Sequence, residues 1–302
     1  MGKRTWTYDH IPGQNGRVVL ITGANSGLGY QEALMMAQKG AEVILAGRDS
    51  KKMNAALKAI AQQAPGAKLS LVMLDLADLN SVAKCAQEVQ RNFKRLDLLI
   101  NNAGVMIPPF SHTKQGFELQ FGTNHLGHFA LTGQLLPLLL QTPGSRIASM
   151  SSLAGVAGSI NLNDLNYERR RYIKMLAYGQ SKLANLMFTH GLANRLKVMG
   201  SGTIAVAAHP GGSPTNLQQN GGFFFRRILT PLTSHPPSQG ALPILRAACD
   251  PEAANGSFWA PSGLFGLTGA PAEVKMPSRA VNKAQCDRLW EISEEATGIF
   301  YP

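Results

Sequence analysis

Short runs of aliphatic and β-branched residues alternate with helical patterns along the first two thirds of the chain, at a spacing typical of repeated β-α-β units. The strand candidates are residues 17–21, 42–46, 69–74, 96–100, 146–150 and 203–208. The helical patterns lie between them, at about residues 28–39, 50–63, 79–94, 116–141 and 177–198. Because each strand candidate is apolar enough to be buried on both faces, we expect an α/β fold, with a doubly wound parallel sheet and helices on both of its faces.

The size and composition of the chain favour one large domain. Its 302 residues are 44% hydrophobic and 16% charged, which excludes an intrinsically disordered chain. We predict a single domain over residues 1–302, in which residues 210–237, rich in Gly, Pro and aromatic residues, form a loop or substrate lid. After the lid we expect a helix, a short strand near Phe258 and a last helix at about 282–295, with residues 270–302 as a C-terminal extension.

The chain is strongly basic, with 29 Lys and Arg against 18 Asp and Glu, for a net charge of +11. This charge would suit a polyanion, an acidic membrane surface or a phosphorylated ligand. The sequence carries no nucleic-acid recognition motif beyond its basicity, so we expect no nucleic-acid partner. Peripheral membrane contact and a homo-oligomer are both left open.

Three scattered cysteines, Cys85, Cys249 and Cys286, are too few for a disulfide framework or a zinc ribbon and indicate a reducing compartment. The N-terminus lacks the apolar segment of a secretion signal, and no apolar run approaches the roughly 20 residues of a membrane span. We therefore expect a soluble, cytoplasmic protein. His125 and His128 lie three residues apart without a clear third ligand, so we expect no metal site.

A glycine-rich turn follows the first strand candidate directly and leads into a helical pattern. It reads Thr-Gly-Ala-Asn-Ser-Gly-Leu-Gly over residues 22–29. Glycines let the backbone approach a pyrophosphate closely, and a helix N-terminus offers free N–H groups and the positive end of the helix dipole. This context predicts a Rossmann-type dinucleotide site. The candidate cofactor-binding residues in the turn are Gly23, Asn25, Ser26, Gly27, Leu28 and Gly29.

The end of the second strand candidate bears on which dinucleotide is bound. Rossmann proteins that prefer NAD usually place an acidic residue there to hold the ribose 2′-hydroxyl. Here the stretch reads Ala46-Gly47-Arg48. Gly47 removes the acid, and Arg48 can form a charge-assisted fork to a 2′-phosphate. We therefore predict NADP(H), with Arg48 among its binding residues.

Three further short motifs follow the glycine turn. They are Asn-Asn-Ala-Gly at 101–104, Tyr-x-x-x-Lys at 178–182 and Pro-Gly-x-x-x-Thr at 210–215. In this order and near this spacing, the four motifs resemble those of the short-chain dehydrogenase/reductase family, in particular its retinol-dehydrogenase-like branch of NADP-dependent carbonyl reductases. The resemblance spans nearly the whole chain.

Tyr178 and Lys182 are the first catalytic candidates. On a helix, residues four apart share one face, so the phenol and the ammonium can act together. A free tyrosine has a pKa of about 10, and we expect a neighbouring Lys cation and an oxidised nicotinamide to lower it, which would make Tyr178 a usable general acid or base. The family resemblance implies that Lys182 also binds the nicotinamide ribose.

The resemblance implies two further catalytic residues. Ser152, at the end of the fifth strand candidate, would orient the substrate oxygen, with Ser151 as the less favoured candidate. Asn124 would support a water in a proton relay to the lysine. The number of residues between Ser152 and Tyr178 is larger than in many members of the family, and this longer insert matches the retinol-dehydrogenase-like branch. We interpret the basic cluster at 167–172, within the insert, as a solvated loop.

The resemblance also implies the other cofactor contacts. It places adenine and its ribose near the third and fourth strand ends, and nicotinamide near the proposed lid. The residues concerned are Asp75, Leu76, Asn102, Ala103, Gly104, Pro210, Gly211, Ser213 and Thr215. In the lid, Phe223, Phe224 and Phe225 favour a bulky apolar substrate, although a subunit contact or a membrane contact beside Arg226 and Arg227 would also suit them.

These observations predict an NADP(H)-dependent oxidoreductase that interconverts an alcohol and a carbonyl of a lipophilic or bulky small molecule. One alternative is reduction of a C=C bond, as in protochlorophyllide reductases, but no cysteine lies between Lys182 and Cys249 to act as an extra proton donor. Another is a non-catalytic protein that senses the nucleotide, which would have no need of the Tyr178 and Lys182 pair.

Overall fold

A computed structural model describes residues 5–212 and 236–302 of the chain. It contains one sheet of eight strands in the order β3-β2-β1-β4-β5-β6-β7-β8. The strands are β1 (Val18–Thr22), β2 (Glu42–Gly47), β3 (Leu69–Met73), β4 (Leu98–Asn101), β5 (Arg146–Met150), β6 (Ile204–Ala208), β7 (Phe258–Pro261) and β8 (Pro271–Val274). The strand order reverses beside β1, which confirms the doubly wound α/β fold.

The prediction of a wholly parallel sheet is wrong at one edge. β1 to β7 pair in parallel, whereas β8 pairs antiparallel with β7. β8 has four residues, begins with Pro271 and is only partly buried, so it lacks the continuous apolar run by which the parallel strands are recognised. Part of the expected C-terminal extension is therefore an edge strand of the sheet.

The helices lie close to their predicted positions. The first seven are α1 (Gly27–Gln38), α2 (Ser50–Gln63), α3 (Leu79–Asn92), α4 (Leu119–Phe121), α5 (Gly127–Leu140), α6 (Leu153–Ala157) and α7 (Lys174–Val198). Later helices span Pro237–Gly240, Leu242–Cys249 and Lys283–Thr297, and 3₁₀ turns span Tyr8–His10, Leu264–Gly266 and Ser278–Val281. The pattern predicted at 116–141 is α4 and α5 joined by one π-helical turn, Gly122–Leu126.

Side-chain caps account for where several helices begin. Asp49 accepts a hydrogen bond from the backbone N–H of Lys52 at the start of α2, and Asp78 does the same for Asn80 at the start of α3. Asn282 caps the C-terminal helix Lys283–Thr297 through the N–H of Gln285. Each cap satisfies a backbone donor that the helix itself leaves free.

The sheet separates two hydrophobic layers. On one face, α1, α2 and the helix Leu242–Cys249 pack against it through side chains such as Met36, Ile60 and Leu245. On the other face, α3, α5 and α7 do so through side chains such as Val82 and Leu135. Within the described residues no helix is both long and apolar enough to cross a membrane. The central strands are thus buried on both sides, and their carboxyl ends are left to form a cleft.

Candidate active site

A cleft of about 480 Å³ opens along the carboxyl edge of the sheet. It brings together nearly all the residues that the sequence proposes for a site. Those that line it are Gly23, Asn25, Ser26, Gly27, Leu28, Gly29, Arg48, Asp75, Leu76, Asn102, Ala103, Gly104, Ser152, Tyr178, Lys182, Pro210 and Gly211. Asn124 lies directly behind the lining, because a Cβ on Gly104 would stand 3.0 Å from its Oδ1. Ser213, Thr215 and Phe223 to Phe225 fall outside the described residues.

The turn between β1 and α1 has a backbone that requires glycine. Gly23 and Gly27 have φ angles of 71° and 58°, which L side chains rarely adopt. At Gly29 the limit is space, since a Cβ there would lie 2.5 Å from Nδ2 of Asn102 and 2.6 Å from the carbonyl oxygen of Gly23. The turn therefore presents bare backbone and the N-terminus of α1 to the cleft, as an anionic diphosphate requires.

A second turn, after β4, is held against the glycine turn by Thr22. The backbone N–H groups of Asn102 and Ala103 donate to Oγ1 of Thr22 at 3.0 and 2.9 Å. Nδ2 of Asn102 donates to the carbonyl oxygen of Thr22 at 2.9 Å. The Asn102 side chain thus joins two turns with one of its N–H donors, and its second N–H and its oxygen remain available for a ligand.

The end of β2 carries two cations into the cleft. Arg48 is exposed, lines the cleft and forms no ion pair with another described residue. Lys52, in the first turn of α2, also lines the cleft and was not foreseen from the sequence. Asp49 lies beside them, but its carboxylate accepts the N–H of Lys52 and lies 3.7 Å from that residue's Nζ. This corner of the cleft is therefore suited to an anionic group.

Helix α7 contributes Tyr178 and Lys182 to the lining of the cleft, and Ser152 lines it after β5. The phenol of Tyr178 shares a hydrogen bond with the Ser152 side chain. Nζ of Lys182 lies 6.0 Å from the centre of the Tyr178 ring and donates to the carbonyl oxygen of Met150 at 3.1 Å. Ser151 donates its hydroxyl proton to the carbonyl oxygen of Lys182 at 2.8 Å, so Ser152 is the serine that faces the phenol.

The pKa values of this pair differ from expectation. Burial raises the pKa of Tyr178 to about 12, and the hydrogen bond with Ser152 lowers it only in part. Burial thus outweighs the lowering expected from Lys182 in the protein without cofactor, and it lowers the pKa of Lys182 itself to about 8. At neutral pH the phenol is therefore protonated and the amine still carries its charge.

The π-helical turn Gly122–Leu126 positions Asn124. Its Oδ1 accepts the N–H of Val105 at 2.8 Å, and its Nδ2 donates to the carbonyl oxygen of Val105 and to Oγ of Ser181. Ser181 in turn donates to the carbonyl oxygen of Tyr178 at 2.8 Å. The Asn124 side chain thus connects the segment after β4 to helix α7, one residue from Lys182. Its role in a water relay stays a prediction.

Comparison with known proteins shows which family the chain belongs to. The family model described as short chain dehydrogenase matches residues 17–222. The chain belongs to this family. Mouse retinol dehydrogenase 12 is 39% identical over 288 residues, 94% of this chain and 87% of the relative. Human retinol dehydrogenase 13 is 40% identical over 294 residues, 95% and 86% of the two chains. The predicted membership and the likeness to retinol dehydrogenases are therefore confirmed.

Solved structures agree with this assignment. A crystal structure of an uncharacterised protein from Mycobacterium paratuberculosis is 41% identical, with a TM-score of 0.84 and 99% of both chains covered. A short chain dehydrogenase from Shigella flexneri, complexed with NADP, is 25% identical, with a TM-score of 0.64 over 82% of this chain and 98% of that one. The present short-chain dehydrogenase is thus an oxidoreductase of this family by sequence and by fold.

The insert of this short-chain dehydrogenase, between Ser152 and α7, is more ordered than a solvated loop. Tyr167 is buried, with the guanidinium of Arg170 stacked 3.7 Å over its ring. Tyr172 donates to the buried carboxylate of Glu118, which also caps α4. The interpretation of residues 167–172 as solvated is therefore wrong for these side chains, whose aromatic rings anchor the insert to the segment before Asn124.

The two histidines of α5 and its preceding turn face different partners. Nε2 of His125 lies 2.9 Å from Oγ of Ser293 in the C-terminal helix. His128 lies 2.9 Å from the Thr22 hydroxyl and from the carbonyl oxygen of Asn124. Across residues 5–212 and 236–302, no group of three or more His, Cys, Asp or Glu side chains is arranged to hold a metal ion.

Proposed function

We propose that this protein is an NADP(H)-dependent oxidoreductase that interconverts a lipophilic alcohol and the corresponding carbonyl compound. The observation that carries the proposal is that Ser152, Tyr178 and Lys182 line the same cleft as a glycine turn and a helix N-terminus. A positioned acid beside a dinucleotide cradle suits hydride transfer coupled to proton transfer.

The cleft fits an NADP(H) molecule in two places. The glycine turn lines the cleft with bare backbone, which a diphosphate can approach closely, and the positive φ angles of Gly23 and Gly27 favour glycine there. Arg48 and Lys52 supply positive charge at the end of β2, where the 2′-phosphate of NADP(H) would need it. Neighbouring structures from Shigella flexneri and Escherichia coli, each 25% identical, are complexes with NADP and NADPH respectively.

The side chains then have separate tasks. When bound, NADP(H) would supply or accept the hydride. Ser152 would hold the substrate oxygen, and Tyr178 would give that oxygen a proton during reduction or remove one during oxidation. Burial keeps the phenol protonated at neutral pH, which is the form that can donate a proton during carbonyl reduction. The Lys182 ammonium would stabilise the phenolate left after the proton has moved.

A lipophilic substrate is supported by the surroundings of the cleft and by the relatives. Apolar side chains that line the cleft include Leu28, Leu76, Val105 and Met106. The relatives described above are named retinol dehydrogenases. The alternative C=C reduction has no observation in its favour, because all three cysteines are buried and none lines the cleft.

The cofactor proposal is tested by titrating the protein with NADPH and NADH while following fluorescence. Arg48→Ala and Lys52→Ala should each weaken NADPH binding by about tenfold, which corresponds to roughly 1.4 kcal/mol for a lost charge-assisted contact, and should leave NADH binding unchanged. Lys58→Ala, an exposed lysine farther along α2, is the matched control. Equal affinity for NADPH and NADH in the wild type would refute the cofactor assignment.

The reaction is tested with a panel of aldehydes and ketones of increasing length. Tyr178→Phe should lower kcat by at least about a hundredfold while NADPH binding is retained, because it removes the proton donor and little else. Tyr8→Phe controls for loss of a hydroxyl elsewhere. A preference for small polar carbonyls would refute the lipophilic substrate. Wild-type binding of NADPH without any turnover would favour the nucleotide-sensing alternative.

The cytoplasmic location, the oligomeric state and contact with a membrane surface stay predictions from the sequence. The three free, buried thiols support a reducing compartment.

A further inference from the structure

His128 occupies the space between the two halves of the site. Its ring is buried on helix α5, 2% exposed, with one nitrogen toward the glycine turn and the other toward the π-helical turn. Nε2 lies 2.9 Å from Oγ1 of Thr22, and Nδ1 lies 2.9 Å from the carbonyl oxygen of Asn124. One side chain therefore contacts both the turn of the proposed cofactor site and the residue behind Lys182.

The partners determine which ring nitrogen carries the proton. A carbonyl oxygen can only accept, so Nδ1 of His128 must donate to Asn124. Burial lowers the pKa of His128 to about 4, so the ring is neutral and Nε2 is an acceptor. Nε2 therefore accepts the hydroxyl proton of Thr22. The charge of Lys182 also lowers this pKa.

The direction of the Thr22 hydroxyl matters to the second turn. When the Thr22 hydroxyl donates its hydrogen bond to His128, the lone pairs of Oγ1 remain free to accept the N–H groups of Asn102 and Ala103. The hydroxyl also has the carbonyl oxygen of Ile100 within 3.4 Å, a longer contact to which it could turn if the histidine were removed. The imidazole thus sets the orientation of the hydroxyl that holds both cofactor turns together.

We infer that His128 is a positioning residue of the reaction site: one imidazole fixes the Thr22 hydroxyl between the two cofactor turns and the main-chain carbonyl of Asn124 behind Lys182. The expected effect of His128 on kcat rests on the proposed function. Its expected tautomer and its effect on the Kd for NADPH do not depend on any reaction. His128 itself donates nothing to the substrate.

A spectroscopic test concerns the wild-type protein. Nitrogen-15 spectra of histidine-labelled protein, assigned with the variants below, should show His128 as a neutral ring protonated at Nδ1 across pH 6 to 8. His125 is the internal comparison, because Ser293 donates its own proton to Leu289 and so leaves Nε2 of His125 as the donor. A His128 ring protonated at Nε2, or charged at neutral pH, would overturn the inference.

Variants test the effect on the site. His128→Leu removes both contacts and should raise the Kd for NADPH and lower kcat by about tenfold each. In His128→Asn the amide nitrogen takes the place of Nδ1 and should restore mainly kcat. In His128→Gln the amide oxygen reaches the place of Nε2 and should restore mainly NADPH binding. The matched control is His125→Leu, equally buried but bonded to the C-terminal helix, which should lose stability while Kd and kcat stay within about twofold.

The outcomes distinguish a failure of the positioning role of His128 from a failure of the proposed reaction. If His128→Leu loses only stability, as His125→Leu does, His128 is a structural residue and the inference is wrong. If His128→Leu does not fold, Thr22→Val and Thr22→Ser take its place, and only the serine variant should bind NADPH with wild-type affinity. A wild type that binds NADPH without turnover would refute the proposed reaction, and the comparison of Kd values would still decide the positioning role.

Discussion

Glu32 is a fully buried acid among the described residues, and it gives the sharpest stability prediction. It lies on α1 with 0% exposure, and neither carboxylate oxygen has a hydrogen-bond partner among the described residues. Burial raises the pKa of Glu32 from 4.5 to about 8. At neutral pH the folded protein therefore holds the neutral acid, whereas the unfolded chain holds the carboxylate.

The sign and size of the effect follow from that difference. Because the folded state binds one more proton than the unfolded state between pH 4.5 and about 8, stability from this group is present below pH 4.5 and is lost as the pH rises through about 8. Each pH unit in this interval is worth about 1.4 kcal/mol. Between pH 4.5 and pH 7 the free energy of unfolding should fall by about 3 kcal/mol.

Glu32→Gln removes the titration and keeps the shape of the side chain. We expect it to match the wild type near pH 4.5 and to exceed it by about 3 kcal/mol at pH 7, measured by urea unfolding at several pH values. The difference between the two proteins is the quantity of interest, because it cancels the titration of the buried histidines. Glu252→Gln, at an exposed position, should show no such trend. A difference that does not change with pH would refute the reasoning.

Three further predictions concern the cleft and the core. Gly29→Ala should weaken NADPH binding at least about tenfold in a fluorescence titration, since its Cβ would lie 2.5 Å from the Asn102 side chain; Gly202→Ala, where a Cβ meets nothing within 4 Å, should have no effect. For reduction, kcat/KM for NADPH should fall as the pH rises through about 8, where Lys182 loses its charge; a flat profile up to pH 10 would contradict this. Asp97→Ala should lower the free energy of unfolding, measured with urea, by about 2–4 kcal/mol, because this buried carboxylate accepts a backbone N–H and forms an ion pair with Arg95. A change below about 0.5 kcal/mol would contradict this prediction.

The fold could be predicted from the sequence because its signal is local. Strands β1 to β6 lie in short, mainly apolar runs of the sequence, and the Asp49 and Asp78 caps mark where helices begin. The π-helical turn at Gly122–Leu126 leaves no such mark, because an apolar helical pattern reads the same whether one residue is accommodated as a bulge or not. The antiparallel β8 was missed for a related reason, since an edge strand beginning with proline has little periodicity.

The sequence predicted which residues form the site but not their pKa values. Motifs identify residues that must meet a ligand, such as Tyr178 and Lys182, and the structure brings them together in one cleft. The sequence could not give their pKa values, because desolvation depends on the layers packed over the cleft and outweighs the neighbouring charge. Lys52 was overlooked since it stands one helical turn beyond the strand end that was searched.

The two buried histidines, His125 and His128, have different partners that the sequence alone does not reveal. His125 and His128 look equivalent, three residues apart on one apolar helix, yet the first faces the C-terminal helix and the second faces the cofactor turns. A neutral imidazole has one donor and one acceptor on opposite sides, so it can join two backbone segments that a hydroxyl or an apolar side chain could not span. In a site built from strand ends that lie far apart in the sequence, the relative position of the turns depends on such contacts. His128→Leu, which removes both contacts, should therefore weaken cofactor binding and lower turnover, although the His128 side chain is not expected to touch the substrate.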